Sequence, residues 1–309
     1  MNNWWQSVLH PAGPDAQIIA QLAWALFIGA AIIFAGVIVA AALGLRRRSS
    51  NIRPMRWILG AGVVFPIVTL SALLGWSSWR AGQLTAQTSN QALRVSVIGH
   101  MWWWEVRYHD PASGREIVTA NEIRMPTGRP VYLGISSADV IHSVWIPALH
   151  GKVDAVPGRI NGLTQQAAAT GLYRGQCAEY CGVQHAHMAL HVVALEPAAF
   201  DRWLAQQAAD AAPPATPMLA RGRLAFQNNG CAACHTIRGV SDGAHHGPDL
   251  THVGSRLYIG AGTLRTHRGT LAGWIADPHS SKPGVRMPAA SGMDGEAVRL
   301  LATYLESLK

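Results

Sequence analysis

The chain has 309 residues, of which 49% are hydrophobic and only 14% are charged. This composition excludes a disordered, collagen-like or purely coiled-coil chain, and the length indicates two or three domains. Four cysteines are too few for a disulfide-rich secreted scaffold, and they form two close pairs, which indicates metal or cofactor attachment. A formal charge of +8 favours nucleic acid or anionic lipid only if it forms one patch, so its distribution along the chain decides.

Two long apolar segments come first in the chain. Residues 16–45 contain no charged side chain, and neither does the run from Trp57 to Trp79. Both exceed the roughly 20 residues that cross a bilayer core, so we predict a transmembrane hairpin with spans at about residues 17–45 and 57–79. The first run is about twice as long as the apolar core of a signal peptide and follows no Lys or Arg, so we expect no cleavage there.

The loop between these spans carries much of the excess positive charge. Its arginines are Arg46, Arg47, Arg48, Arg53 and Arg56. Basic loops stay in the cytoplasm, so we expect a bacterial inner-membrane protein whose termini and later domains face the periplasm. This distribution removes the main reason to expect a nucleic-acid partner, and no DNA or RNA recognition motif is visible.

The rest of the chain divides into a β-rich part and a helical part. Short alternating segments predict an antiparallel β-sandwich over residues 93–200. An Ala/Pro-rich linker at 201–217 precedes helical periodicity over 218–309. With the tail and hairpin at 1–92, we predict a multidomain membrane protein that ends in a small all-α domain.

The first cysteine pair lies among other soft metal ligands. Cys177 and Cys181 are followed by His185 and Met188. Thiolate, imidazole and thioether select copper or zinc over calcium or magnesium, and the thioether favours copper because it is an unusual zinc ligand. With one more histidine, for which His142 is the best candidate, the set suffices for two copper ions bridged by both sulfurs. A disulfide or a zinc half-site is the alternative for the pair taken alone.

The second pair has a different spacing. Cys231, Cys234 and His235 form the Cys-x-x-Cys-His pattern of covalent c-type haem attachment, with two thioether bonds and a proximal histidine. The alternatives are a zinc or thioredoxin-like site, which an outward-facing helical domain disfavours. The two centres together use all four cysteines, so we expect no disulfide.

At these residues the chain resembles subunit II of cytochrome c oxidase. The family's copper motif, Cys-x-Glu-x-Cys-x-x-x-His-x-x-Met, is matched without departure over residues 177–188. An upstream family segment is matched at Asp139, His142, Lys152, Asp154, Pro157, Gly158, Arg159 and Asn161. The resemblance covers nearly all of residues 10–200 and implies a cupredoxin-like domain.

The resemblance also implies which groups bind the dinuclear copper centre, called CuA. They are the bridging thiolates of Cys177 and Cys181, one imidazole per copper from His142 and His185, the thioether of Met188 and the backbone carbonyl of Glu179. The carboxylate of Glu179 is implied as a magnesium ligand at the interface with oxidase subunit I.

The segment GHMWWWEVRY, residues 99–108, looks like the family's aromatic stretch beside the copper centre. The resemblance makes Trp102 the position through which electrons from a docked cytochrome reach the copper. Trp103 and Trp104 are expected to pack in the sandwich.

Residues 218–309 resemble class I cytochrome c. The matching segments are GPDL at 247–250, KPGVRMP at 282–288 and YLESL in the last helix. We predict Met287 as the distal haem ligand, because it matches the family's Met-Pro turn and because a thioether raises the haem potential, as suits a donor to copper. The rivals are Met293, His245, His246, His252, His267 and His279.

Together these residues predict the electron-transfer subunit of a bacterial, proton-translocating cytochrome c oxidase with a fused cytochrome c domain. Electrons would pass from haem c to CuA and on to the haem-copper site of subunit I, where oxygen is reduced to water. The expected partners are subunits I and III, a cytochrome c or quinol-cytochrome c reductase as donor, and membrane lipid. The expected cofactors are CuA, haem c and magnesium at the subunit I interface.

Two other interpretations stay open. A membrane-anchored carrier for a nitric oxide or nitrous oxide reductase shares the copper motif, and a free-standing electron carrier has no catalytic partner at all. The chain also departs from the family in one respect. Many of its members have a glutamate near the start of the second span, but no Asp or Glu lies here between Asp15 and Glu105.

Overall fold

Two long apolar helices form the N-terminal part of the computed structural model, which describes residues 6–46, 53–85, 92–109, 114, 116–241 and 246–309. Helix α1 spans Pro14–Arg46, and the second membrane span covers Pro54–Leu84. Phe34 and Leu74 are each 68% exposed, as expected for side chains that face lipid. Both predicted spans are confirmed as helices, and the chain is anchored in a membrane by them. Of the loop arginines, Arg47 and Arg48 lie outside the described residues.

A π-helical segment interrupts the second span. Its three parts are α2 (Pro54–Leu59), the π-helical segment (Gly60–Val64) and α3 (Phe65–Thr85). Pro66 has no N–H to donate, and in a regular α-helix its ring collides with the carbonyl of the preceding turn. The wider π turn just before Pro66 relieves that collision, and Phe65 N–H donates to the Gly60 carbonyl. The span therefore continues through its proline.

Two five-stranded sheets form the described part of the next domain. The strands are β1 (Leu93–His100), β2 (Trp103–His109), β3 (Glu116–Ala120), β4 (Glu122–Pro126), β5 (Val131–Ser137), β6 (His142–Trp145), β7 (Val153–Ala155), β8 (Asn161–Gln165), β9 (Gly171–Cys177) and β10 (Ala189–Leu195). The order is β3-β2-β1-β5-β8 in one sheet and β4-β10-β9-β6-β7 in the other. The predicted cupredoxin-like sandwich is confirmed, with two parallel pairs, β1/β5 and β4/β10, among antiparallel ones.

Alternating side chains fill the space between the sheets. In β5, Leu133 and Ile135 are fully buried, whereas the alternate residues Tyr132, Gly134 and Ser136 are partly exposed. Helix α4 (Pro197–Ala208) adds Phe200 and Trp203 to the same apolar core. Side chains from both sheets and from α4 therefore form one continuous core.

A second core lies in the C-terminal domain, which confirms the predicted helical class. Its elements are α5 (Pro217–Asn228), β11 (Tyr258–Ile259), β12 (Leu264–Arg265), α6 (Arg268–Ala276), α7 (Pro278–Ser281) and α8 (Gly295–Ser307). Helices α5 and α8 approach closely at Gly222, where a Cβ would lie 2.3 Å from the Leu300 carbonyl oxygen. The domain boundaries drawn at residues 92, 200 and 217 stay a prediction.

The C-terminal domain contacts the sandwich directly. The hydrogen bonds that cross between them include Arg124 Nη2 to the Ser255 carbonyl at 3.0 Å, Ala189 N–H to the Ala261 carbonyl at 3.0 Å, and Leu257 N–H to Glu122 Oε2 at 2.9 Å. The ring of His191 also stacks on Tyr258, with centroids 4.2 Å apart. The C-terminal domain is therefore docked beside β4 and β10.

Candidate copper and haem sites

Strand register brings the predicted copper ligands to one end of the sandwich. His142 begins β6 and Cys177 ends β9, and these strands pair antiparallel with Val144 opposite Cys177. After β9 the chain passes through a 3₁₀ turn at His185–His187 into β10. Cys177 N–H donates to the Met188 carbonyl at 2.9 Å, which closes this loop.

All six predicted ligand groups converge there. The Sγ atoms of Cys177 and Cys181 are 3.8 Å apart. The other groups each lie close to one sulfur: His142 Nδ1 is 3.9 Å and the Glu179 carbonyl oxygen 3.1 Å from Cys177 Sγ, and His185 Nδ1 is 3.7 Å and Met188 Sδ 3.9 Å from Cys181 Sγ. Each sulfur thus has one imidazole and one further donor, which fits two soft metal ions held by two shared thiolates.

Neighbouring groups hold the His142 ring in this orientation. Its Nε2 lies 2.8 Å from Asp139 Oδ1, and the other carboxylate oxygen accepts the N–H of Met101 at 2.7 Å. Because Nε2–H donates to Asp139, Nδ1 remains free to face Cys177. A Cβ at Gly99 would lie 2.6 Å from the imidazole Cδ2, so only glycine leaves room for the ring.

A hydrogen bond joins the two thiols. Their hydrogen bond lowers the pKa of Cys177 to about 3 and raises the pKa of Cys181. Burial opposes a charge on His142, but hydrogen bonds to Cys177 and Asp139 raise its pKa overall. Such a pair loses its first proton easily and its second only when a cation compensates the charge, so these side chains suit a thiophilic metal.

Glu179 presents two different groups. Its carbonyl oxygen belongs to the cluster just described, whereas its carboxylate is 44% exposed and pairs with Lys152 Nζ at 3.2 Å. A carboxylate at this surface is a suitable ligand for a hard cation such as magnesium, provided that a second chain supplies further oxygens.

The haem motif follows α5. Cys231 begins a 3₁₀ turn, and His235 N–H donates to the Cys231 carbonyl at 3.0 Å. His235 Nδ1 lies 2.8 Å from the Pro248 carbonyl oxygen, so Nδ1–H donates there and Nε2 stays free for a metal. Burial lowers the pKa of His235, which favours the neutral imidazole that iron requires. Cys234 is exposed beside this turn.

A cavity of about 520 Å³ adjoins this motif. Its size falls within the range of about 300–1,000 Å³ that is usual for ligand and cofactor sites. Phe226, Leu301 and Leu305 give it an apolar lining, and Cys231, Cys234 and His235 all contribute to one wall. The copper domain contributes His100, Met101, Trp102, Trp103 and Asn121. This apolar space beside two thiols and an imidazole fits a covalently attached haem.

The two candidate methionine ligands differ in their surroundings. Met287 and Met293 both line the cavity. Met293 also packs against the apolar core of the domain, whereas Met287 follows the exposed Arg286 in the loop before α8 and is not part of that core. The Met287 thioether therefore does not contribute to the apolar core and is available as a ligand.

The rival histidines are placed differently. His246 lines the cavity, and His245 lies outside the described residues. Both ring nitrogens of His252 lie within 3.1 Å of backbone carbonyl oxygens. His267 accepts backbone N–H groups at the start of α6, and His279 is exposed away from the cavity lining.

Trp102 lies between the cavity and the copper ligands. Its side chain is 8% exposed and lines the cavity, while its Nε1–H donates to the Cys181 carbonyl at 2.8 Å. Trp103 also lines the cavity and stacks on His100, whereas Trp104 is fully buried in the sandwich core. One indole therefore contacts both candidate sites.

Sequence reasoning missed two side chains that join these sites. Lys282 is 1% exposed, and its Nζ donates to the Trp102 carbonyl at 2.6 Å. Gln184 is 5% exposed, and its Nε2 donates to the Pro283 carbonyl at 2.6 Å. Both lie within the copper and haem motifs described above. Lysine and glutamine are usually exposed, and the neighbouring sequence gives no sign that these two side chains are buried.

Comparisons with known proteins agree for both parts of the chain. The family described as Cytochrome C oxidase subunit II, periplasmic domain, matches residues 93–195, and the Cytochrome c family matches residues 219–309. Cytochrome c oxidase subunit 2 of Alkalihalophilus pseudofirmus is 30% identical over 98% of this chain and 91% of its own length. The same subunit of Bacillus sp. strain PS3 is 34% identical over 70% of this chain and 62% of its own length.

Among solved structures, the periplasmic domain of subunit II of cytochrome oxidase from Bradyrhizobium japonicum is 30% identical. It matches with a TM-score of 0.35, covering 37% of this chain and 92% of that chain. The two family matches contain the copper and haem motifs, and the Alkalihalophilus relative spans nearly the whole chain. The chain therefore belongs to the cytochrome c oxidase subunit II family and carries a cytochrome c domain after its copper domain.

Proposed function

We propose that this subunit passes single electrons from its haem c to the CuA centre and on to the haem-copper site of subunit I, where oxygen is reduced to water. Subunit II is part of an oxidoreductase complex and associates with subunit I. We place the oxygen-reducing site on that partner chain. The observation that carries the proposal is Trp102, which lines the haem cavity and hydrogen-bonds the Cys181 carbonyl.

Purification in mild detergent tests the function as a whole. A stable complex with a large polytopic haem protein that reduces oxygen is the expected result. Co-purification with a nitric oxide or nitrous oxide reductase, or isolation of a lone subunit, would contradict the proposal.

The burial of Trp102 bears on where a donor binds. The cytochrome c domain covers this side chain, leaving 8% exposed, so a soluble cytochrome has no direct access to it. The proposed donor, a cytochrome c or a quinol-cytochrome c reductase, therefore delivers electrons to the haem c of this chain. The copper receives them only through the contact between the two domains.

Replacing the indole tests this path. In Trp102→Phe the hydrogen bond to Cys181 is lost, and internal haem-to-copper transfer slows by about tenfold or more, since small displacements of reacting partners cost up to about 100-fold. The rate is followed by haem reoxidation after photoreduction of the purified protein, and Trp24→Phe in the membrane helix is the control. An unchanged rate with an intact copper spectrum would show that Trp102 is not on the path.

For the haem, the proposal assigns thioether bonds to Cys231 and Cys234, proximal ligation to His235 and distal ligation to Met287. The position of Met287, which lines the cavity but lies outside the apolar core, supports the assignment of the distal ligand. The near-infrared sulfur-to-iron band should disappear in Met287→Ala and persist in Met293→Ala. The reverse outcome would assign the ligand to Met293.

For the metals, the proposal assigns six groups to CuA and the Glu179 carboxylate to magnesium. The CuA groups are His142, Cys177, the Glu179 carbonyl, Cys181, His185 and Met188, supported by the distances around the two sulfurs. The exposure of the Glu179 carboxylate beside Lys152 supports a role at the subunit I interface. In the assembled oxidase, Glu179→Gln should lose bound magnesium and keep both coppers.

Sidedness and the further partner, subunit III, also belong to the proposal. The arginines between the spans support a cytoplasmic loop with both redox domains in the periplasm. Protease added to spheroplasts should then remove the cytochrome c domain and leave the hairpin in the membrane. Protection of that domain in intact spheroplasts would reverse the orientation.

A further inference from the structure

Lys282 is a buried cation between the copper domain and the cytochrome c domain. Lys282 is 1% exposed. Its Nζ donates to the Trp102 carbonyl at 2.6 Å and to the Gly260 carbonyl at 3.3 Å. Trp102 belongs to the copper domain and Gly260 to the cytochrome c domain. Among the described residues no carboxylate pairs with this ammonium, which is held by backbone carbonyls.

The loop that contains Lys282 makes further contacts with the copper domain. The Pro283 carbonyl accepts the Gln184 Nε2–H at 2.6 Å, and Arg286 Nη1 lies 4.0 Å from Asp139 Oδ2. The loop, residues 282–288, therefore touches the copper domain at three separate points. The same loop contains Met287, which lines the haem cavity.

Each of these contacts reaches the immediate surroundings of a copper ligand. Each of the three contacted residues of the copper domain lies next to a proposed copper ligand. Trp102 donates a hydrogen bond to the carbonyl of Cys181, and Asp139 accepts one from the ring of His142. Gln184 precedes His185 in the sequence. The wall of the haem cavity is thus attached to groups that position copper ligands. A displacement of loop 282–288 would disturb both sites at once.

A lysine at this place needs a reason, because burying an ammonium without a carboxylate is strongly unfavourable. An apolar side chain of similar length would fill the same space without that cost. A buried ammonium, however, donates charge-assisted hydrogen bonds, and two carbonyls from different domains accept them only while both domains keep those carbonyls within hydrogen-bond distance of Nζ.

We propose that Lys282 is a positioning residue, whose buried ammonium fixes loop 282–288 of the cytochrome c domain against Trp102 and the groups around the copper ligands. That this positioning serves electron transfer rests on the haem-to-copper transfer proposed above. The docking of the two domains by Lys282 does not depend on that transfer, so docking and electron transfer are tested by different measurements.

Amide hydrogen exchange on the full-length protein, with haem and copper bound, measures the docking directly. The N–H groups of Ala189 and Leu257 donate across the domain boundary, so their exchange reports its opening. In Lys282→Met, which keeps the length and removes the charge, both amides should exchange about tenfold faster or more. Exchange within the β1/β2 ladder should stay unchanged, and Lys309→Met, at an exposed lysine of the same domain, should match the wild type.

The reduction potential of the copper centre separates a cation from a mere space-filling side chain. A nearby cation stabilises the added electron, so the potential should fall in Lys282→Met and in the neutral donor variant Lys282→Gln. The comparison is made at pH 6, below the pKa of about 7 to which burial lowers Lys282. A side chain that only packs would leave the potential unchanged.

Unchanged exchange at Ala189 and Leu257 in Lys282→Met would overturn the proposal, and so would an unchanged copper potential. If Lys282→Met fails to take up haem or copper, Lys282→Gln carries the same two readouts. Faster exchange and a lower potential combined with an unaltered rate of internal electron transfer would support the positioning role and contradict the proposed path through Trp102.

Discussion

The copper site and the haem site of this chain are built in opposite ways. Around the copper site, the two sulfurs are 3.8 Å apart, and each other ligand group lies within 3.9 Å of one of them. At the haem site, the attachment residues line one side of a cavity of about 520 Å³. A metal ion requires a few ligand atoms close together, and strand register and a short loop place them here. A haem requires a cavity large enough to hold it.

The difference indicates where the stability of each domain comes from. The core of the sandwich is filled largely by side chains outside the proposed copper site, such as the fully buried Leu133 and Ile135, although the proposed ligands Cys177, Cys181 and Met188 also belong to it. In the cytochrome c domain, Phe226, Leu301 and Leu305 belong to the apolar core and also line the cavity. Loss of metal should therefore spare the copper domain, and loss of haem should unfold its neighbour.

Replacing one bridging sulfur has the largest expected effect. Cys181 Sγ lies near Cys177, His185 and Met188, so Cys181→Ser should remove both copper ions and leave the circular dichroism of the sandwich unchanged. Metal analysis and the visible spectrum measure this. His187→Gln, at an exposed neighbour, should keep two coppers per chain. Zinc in the wild type, or one copper with a simple blue-copper spectrum, would contradict a dinuclear site.

Removing the haem attachment tests the other half of the comparison. In the double variant Cys231→Ala/Cys234→Ala the haem is no longer attached, so the apolar side chains that line the cavity lose the group that would cover them. A typical domain is stable by only about 5–15 kcal/mol, so the cytochrome c domain should unfold. Amide exchange in α8 measures this, and the copper content should persist. Continued protection of α8 in the haem-free chain would show that the domain core does not need its cofactor.

Much of this architecture could be predicted because its signals are local. An uncharged run predicts a membrane helix and alternation predicts strands. The histidine and methionine that follow Cys177 and Cys181 indicate a copper site, and the Cys-x-x-Cys-His spacing of Cys231 and Cys234 indicates a haem. Each of these signals depends on residues close together along the chain. The fold class and the cofactor types follow from such signals.

What could not be predicted depends on residues far apart. The parallel pairing of β1 with β5 leaves the same alternation as an antiparallel pairing, so the period of two does not distinguish them. The docking of the two domains depends on contacts such as that of Lys282 with Trp102, 180 residues away. A buried lysine has no local signature, because its burial is decided by the partner surface.

Adding a methyl group at Gly99, beside the His142 ring, tests whether the metal site is preassembled. A Cβ at position 99 would lie 2.6 Å from His142 Cδ2, so Gly99→Ala should displace the imidazole and weaken copper binding by about 10–100-fold. Competition titration measures the affinity, with the haem spectrum as an internal reference. In Gly134→Ala the nearest atom lies at 3.5 Å, an ordinary contact, so this strand variant should bind copper normally. Equal copper affinities in the two variants would mean that the site tolerates a displaced His142 ring and is not preassembled.

The junction between the domains gives the smallest expected effect, a dependence of stability on pH. His191 on β10 is 2% exposed and stacks on Tyr258 of the cytochrome c domain, with Arg174 opposite it on β9 and Glu122 opposite it on β4. Burial, together with the charge of Arg174, lowers the pKa of His191 from 6.5 to about 4.

Because the folded protein binds this proton less readily than the unfolded chain, the stabilisation is fully present above pH 6.5 and declines as the pH falls toward 4. Between pH 7 and pH 5.5 the loss from this one group should be about 1 kcal/mol. His191→Phe keeps an aromatic ring against Tyr258 and removes the titration, so its thermal midpoint should fall less over this interval than that of the wild type. His279→Gln, at an exposed histidine, is the control. An equal fall in wild type and His191→Phe would mean that the acid sensitivity arises elsewhere, for example at the histidines proposed to bind copper.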